Sequence, residues 1–164
     1  MSKLFTVTFV CLGNICRSPM AEAVFKKLCG ERGVAPSFVI NSRATSDCEE
    51  GNPVYPPVQR VLKAKGYDFA HRAKKITLSD VKNADYVLVM DGMNYTDLLR
   101  MTCGGYADKI MKLGDFLTDK RDIDDPWYTR DFERTYKEIY AACNALLDWL
   151  TEEHGQALAY DGRN

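Results

Sequence analysis

The residues best suited to chemistry fall together near the start of the chain. Cys11-Leu-Gly-Asn-Ile-Cys16-Arg17-Ser18 places thiol, guanidinium and hydroxyl groups in the pattern Cys-x5-Arg-Ser. That spacing is a weak signal alone, and its context strengthens it. Leu4 to Val10 is β-branched and aromatic and reads as a buried strand that delivers Cys11. Gly13 and Asn14 can curl the backbone, and Ser18-Pro19 reads as N-cap and first helical residue of a helix that opens at once. Backbone N–H groups in such a loop form a nest, and the helix N-terminus adds partial positive charge. Arg17 can grip two oxygens of a tetrahedral oxyanion side by side. Leu12, Gly13, Asn14, Ile15, Cys16 and Arg17 would then cradle an anion such as phosphate, with the Cys11 thiolate as a nucleophile inside it. The alternative is a small buried Cys11 ending a strand, with Arg17 on the surface.

A nucleophile of this kind needs a proton donor for the leaving oxygen. Asp124-Asp125-Pro126-Trp127-Tyr128 offers one, with proline restraining the backbone beside Asp125 and two aromatic rings able to wall a slot for a flat substrate. Taken alone, the same residues read as an ordinary acidic turn. Neither Gly-x-Gly-x-x-Gly nor Gly-x4-Gly-Lys-Ser/Thr occurs, so nucleotide-cofactor readings lack their fingerprint.

These groups need a scaffold. After the first strand, Met20, Val24 and Leu28 recur at helical spacing until Gly30 and Gly33 end the helix. Further strands are predicted at Ser37 to Ser42, Tyr86 to Met90 and Lys109 to Leu113. Helices are predicted from Pro57 to before Gly66, over Leu78 to Asn83 and over Asn94 to Thr102. Phe132, Tyr136, Ile139, Cys143, Leu146 and Leu150 form one apolar stripe on a long last helix, and residues after His154 read as a polar, frayed end. Alternating strands and helices predict an α/β fold, a parallel sheet covered on both faces. Ligands on such sheets bind at the carboxyl ends of strands, where Cys11 and Asp125 both fall.

The 164 residues suit a single domain, with an ordered core over about 4–152 and a polar tail over 153–164. Lys+Arg 22 against Asp+Glu 23 gives a net charge of −1, which argues against nucleic-acid binding. No apolar run approaches the ~20 residues of a membrane span. Six cysteines without a secretion signal read as reduced thiols in a cytoplasmic protein, with Cys29 and Cys143 in the core. With only His71 and His154 and no Cys-x2-Cys pair, neither a metal nor another cofactor is expected.

Across residues 4 to about 150 the chain resembles the low-molecular-weight protein tyrosine phosphatases. The resemblance rests on FVCLGNICRSPMAEAVF, SRATSDCEEGNP, DYVLVMDGMN, DDPWY and DFERTYKEIY, in that order. It implies a three-layer, flavodoxin-like αβα fold whose four-stranded parallel sheet has the order 2-1-3-4. It also implies a metal-independent, two-step hydrolysis of phosphotyrosine. Cys11 would attack phosphorus, Arg17 and the loop amides would hold the oxygens, and Asp125 would serve as acid and then as base. By the same resemblance Ser18 would donate to the Cys11 sulfur, while Ser42 and His71 would fix Asn14 in a left-handed turn. Cys16 would be a redox partner of Cys11, and Asp91 matches a family aspartate near the acid loop. Where many members carry an aromatic wall this chain has Cys48, leaving Trp127 and Tyr128 to stack on the substrate. Tyr128 is itself a candidate for phosphorylation. Partners implied are phosphotyrosine proteins or peptides and a cognate tyrosine kinase, met by a monomer.

Three other readings share the loop. Arsenate reductases need two further relay cysteines after the third strand, where only Cys103 lies. Protein arginine phosphatases typically place threonine where this chain has Ile15. A non-catalytic phosphate-binding module would need neither the thiolate nor Asp125.

Overall fold

The computed structural model describes residues 3–162. Four strands, β1 (Phe5–Cys11), β2 (Phe38–Ala44), β3 (Tyr86–Val89) and β4 (Ile110–Lys112), form one parallel sheet in the order β2-β1-β3-β4. This is the expected 2-1-3-4 arrangement. Strand periodicity divides the core in two. Phe5, Val7, Phe9 and Leu88 pack with α1 (Arg17–Glu31) and the long terminal helix, where Met20, Phe25, Ile139, Cys143, Leu146 and Leu150 are buried. Val10, Val87 and Val89 point the other way, onto Val81 and Leu98.

The other helices are α2 (Pro56–Ala64), α3 (Leu78–Asn83), α4 (Gly92–Met101) and the single turn α5 (Pro126–Thr129), and the long terminal helix is α6 (Phe132–His154). Burial pushes the Cys29 thiol up to about 12 and the Cys143 thiol well above its ordinary value, so both stay protonated as core residues. Thr8 is buried mid-sheet, and its hydroxyl donates to Asn41 Oδ1 at 2.6 Å.

Two expectations are corrected. Ser18 is not the N-cap: α1 starts at Arg17 after Cys16, with no side-chain cap, and Pro19 lies inside the first turn. The Ser18 hydroxyl turns instead toward Cys11. Gly30 likewise sits within α1, and the left-handed turn beyond it falls to Gly33 at φ +71°.

The end of the chain is not frayed over residues 155–161. Its backbone is paired: Lys3 N–H donates to Ala157 O at 2.8 Å and Asp161 N–H to Gly33 O at 2.8 Å. Ser37 Oγ bonds both polar groups of Ala159, and Leu158 is buried. Local polarity concealed this docking, because the partners lie more than a hundred residues away in sequence.

Candidate active site

The sheet order reverses between β1 and β3, and the carboxyl ends of these strands open a crevice there. β1 ends on Cys11, and the loop that follows wraps around its sulfur. Asn14 takes φ 60°, a left-handed turn that asparagine tolerates better than most residues. Three hydrogen bonds then converge on Sγ: Asn14 N–H at 3.3 Å, Ser18 N–H at 3.5 Å, and the Ser18 hydroxyl at 3.0 Å. Hydrogen-bond donors aimed at one atom are an arrangement that stabilises negative charge there. The N-terminus of α1 lacks a side-chain cap; its Ser18 amide serves the Cys11 sulfur and Pro19 has no N–H, which leaves the Arg17 amide of the first turn for a bound anion.

Asn14 is the centre of a buried network. Its Oδ1 accepts from Lys74 N–H at 3.0 Å and from His71 Nε2 at 2.7 Å. Its Nδ2 donates to Ser18 Oγ at 2.8 Å and Ser42 Oγ at 3.0 Å. The Ser42 hydroxyl passes the chain on, donating to buried Glu22 at 2.7 Å. Desolvation lowers the pKa of His71; Glu22 opposes the shift, while Arg43 and Lys26 add to it. Because Asn14 Oδ1, which also meets Lys74 N–H, can only accept, the neutral ring carries its proton on Nε2.

Arg17 is almost wholly buried. One of its nitrogens donates to Asp91 Oδ2 at 2.7 Å and to Ile123 O at 2.8 Å, and the other lies 3.5 Å from Asp125 Oδ2. Burial works against its charge, but Cys11, Asp91 and Asp125 outweigh that and hold the guanidinium above its usual pKa. Asp91 is also the N-cap of α4, accepting from Asn94 N–H at 2.8 Å, so one carboxylate starts a helix and aims an arginine.

Asp125 caps α5 by accepting from Trp127 N–H at 3.0 Å. Its carboxyl faces a cavity of about 210 Å³ that Cys11, Leu12, Gly13, Ile15, Cys16 and Arg17 also line. Cys48, Trp127 and Tyr128 stand at its walls. Asn14, assigned to the cradle from sequence, lies behind that lining with Ser18, Ser42 and His71, and spends its amide on the sulfur. Cys48 is exposed, its sulfur 2.9 Å from Ser46 Oγ. Burial, together with the charges of Cys11 and Asp125, pushes the Cys16 thiol far above its ordinary value.

Sequence reasoning missed Glu49 and Tyr55. Glu49 lines the cavity and packs over Gly13, where an added Cβ would come within 3.3 Å of its Cγ. Tyr55 lies against Trp127 with ring centroids 4.9 Å apart. Glu49 stands beside Cys48 inside the SRATSDCEEGNP stretch, so its place was signalled by that neighbour, whereas Tyr55 lies beyond any such motif and is exposed as a site residue only by the approach of the segment to the Cys11 loop.

A sequence profile described as "Low molecular weight phosphotyrosine protein phosphatase" matches residues 6–156. The Homo sapiens protein of that name is 41% identical over 151 residues, covering 87% of this chain and 94% of its own. The crystal structure of YfkJ from Bacillus subtilis superposes with a TM-score of 0.90 at 34% identity, over 93% of this chain and 98% of that one. That of DARP, a Drosophila arginine phosphatase, gives 0.81 at 30% identity, over 87% and 96%.

Proposed function

The chain belongs to the low molecular weight phosphotyrosine protein phosphatase family, and from that premise we propose how its own residues carry the reaction. It is a cysteine-based phosphatase acting on phosphotyrosine in proteins. The observation that carries the residue assignment is the convergence of three hydrogen bonds on the Cys11 sulfur inside one cavity shared with Arg17 and Asp125.

Cys11 attacks phosphorus in line with the aryl oxygen, forming the S–P bond as the P–O bond breaks. Asp125 gives its proton to the departing tyrosyl oxygen. Arg17 and the amides of the cradle hold the three equatorial oxygens through the transition state. Asp125, now a carboxylate, takes a proton from the water that attacks the phosphocysteine, and phosphate leaves. Trp127 and Tyr128 provide the apolar faces between which the phenol ring lies, with Cys48 as a thinner opposite wall.

Cys16 protects the nucleophile. When peroxide oxidises Cys11 to a sulfenic acid, the Cys16 thiol passes its proton to the sulfenic hydroxyl, which leaves as water while the two sulfurs join in a reducible disulfide. All six cysteines are free thiols here, and a thiolate nucleophile suits a reducing cytoplasm. The whole chain acts as one phosphatase domain, and the reaction needs no group beyond those that this chain supplies. A tyrosine kinase supplies its substrates.

The experiment is steady-state hydrolysis of phosphotyrosine, phosphoserine and phosphoarginine peptides without added metal, with Cys11→Ser and Asp125→Ala alongside. Selective phosphotyrosine turnover, abolished by the first change and cut strongly by the second, is expected. A phosphoarginine preference would transfer the same nucleophile to the arginine branch. Phosphate binding without turnover of any peptide would make the protein a binding module.

A further inference from the structure

The proton donor stands on a weak element. α5 is a single turn, and a turn of that length has no stability of its own in water. Something outside it must fix where Asp125 points.

Tyr55 is placed to do so from two directions. Its backbone N–H donates to Ile15 O at 2.9 Å, which fastens it to the phosphate cradle, and its carbonyl opens α2 by accepting from Val58 and Gln59 N–H at 2.9 and 3.0 Å. Its side chain faces the acid loop. The ring lies against Trp127, the residue whose N–H caps onto Asp125, with centroids 4.9 Å apart. The phenol oxygen accepts from both terminal nitrogens of Arg130, at 3.1 and 3.2 Å. Arg130 is the residue that closes α5, in a left-handed conformation at φ 59°. Both ends of the turn therefore lean on one side chain, and a left-handed arginine persists only where its surroundings hold it. Phe132 completes the contact at 6.0 Å from the Tyr55 ring.

We infer that Tyr55 is a positioning residue for catalysis, registering the Asp125 turn against the phosphate cradle. The inference rests on Asp125 being the proton donor. Tyr55 touches none of the reacting atoms, and its effect passes through the placement of the Asp125 carboxyl.

The test is a series of aryl phosphates whose leaving phenols differ in basicity, with kcat/KM followed for wild type, Tyr55→Phe, Tyr55→Leu, Asp125→Ala and the double variant Tyr55→Leu/Asp125→Ala. A working proton donor flattens the dependence on leaving-group basicity. Tyr55→Leu is expected to lower kcat/KM by roughly 10- to 100-fold on the most basic phenols, as a misplacement of about 1 Å does, and far less on the most acidic. Tyr55→Phe keeps the ring contact with Trp127, loses the Arg130 bonds, and shows a smaller effect of the same form. In the Asp125→Ala background, Tyr55→Leu should add nothing. Inhibition by inorganic phosphate and the rate of Cys11 alkylation should stay within about twofold of wild type.

A uniform loss across the series, a loss that adds to that of Asp125→Ala, or weakened phosphate inhibition would overturn the inference and make Tyr55 a prop of the cradle alone. If Asp125→Ala itself left the leaving-group dependence flat, the proton-donor assignment would fail first and take this role with it. Should Tyr55→Leu not fold, Tyr55→Phe carries the same comparison.

Discussion

The Ser18 hydroxyl lies 3.0 Å from the Cys11 sulfur, and its acceptor side is already occupied by the Asn14 amide at 2.8 Å. Because Lys74 N–H can only donate, Asn14 Oδ1 must be the atom that meets it, which fixes the amide and leaves Nδ2 to face Ser18. The serine proton is thereby turned toward sulfur. A weaker claim on it comes from Arg43 O at 3.4 Å.

Ser18→Ala removes that proton while leaving the backbone amides in place. A hydrogen bond to a charged group contributes about 1.5–3 kcal/mol, so kcat should fall roughly 10- to 100-fold. Iodoacetate should also inactivate the variant more slowly than wild type at a given pH. Unchanged alkylation beside reduced kcat would mean that the hydroxyl acts later, on departure of the thiolate from phosphorus.

Asn14 supplies both a left-handed backbone and a four-bond hub, and two substitutions separate them. Asn14→Gly keeps the turn and loses the hub; Asn14→Ala loses both. Buried partners left unpaired cost about 1–3 kcal/mol, and the strained turn adds about 1–2 kcal/mol for alanine. Urea unfolding should therefore rank wild type above Asn14→Gly, and that above Asn14→Ala. Equal stability of the two variants would deny the backbone its share.

Asp91→Asn keeps a capping side chain for α4 but removes the charge that aims Arg17. Asparagine caps nearly as well as aspartate, so any fall in melting temperature should come from the buried Arg17 charge left with a weaker partner and not from the helix start. Inhibition by inorganic phosphate should weaken by about tenfold or more, since a charged bond at 2.7 Å no longer orders the guanidinium. A large loss of stability with intact phosphate inhibition would assign Asp91 to the helix alone.

His71 gives the fold a pH dependence of known sign. Burial lowers its folded pKa below the ordinary histidine value of about 6.5, against the opposing pull of Glu22. As pH falls below 6.5 the unfolded chain takes up the proton before the folded one does, so stability is complete above that value and is lost toward and through the lower folded pKa. Thermal melts between pH 5 and 7.5 should show this decline in wild type, and a flatter profile in His71→Gln. An equal slope in both would place the titration elsewhere.

Much of this was legible in the sequence because it is local. The β-branched run before Cys11, the Gly13-Asn14 turn and the stripe from Ile139 to Leu150 each declare themselves over a few residues, and the strand order followed from the family. Ser18 misled for a physical reason. Serine before proline is a good cap signal, yet the Cys11 sulfur competes for the same hydroxyl and wins it. The terminal segment misled because polarity says nothing about distant partners such as Lys3 and Gly33.

The sequence by itself placed a thiol and a guanidinium in one short loop, since the Cys-x5-Arg spacing is written in adjacent positions, and it offered Asp125 beside Pro126 as a carboxyl that only the family resemblance joined to that loop. Tertiary structure decided how they are held. Asp91 reaches Arg17 across 74 positions, His71 reaches Asn14 across 57, and Tyr55 leans on a turn that lies more than seventy residues beyond it. Such contacts are short-ranged in space and unconstrained in sequence, so only the closing of the parallel sheet brings them together.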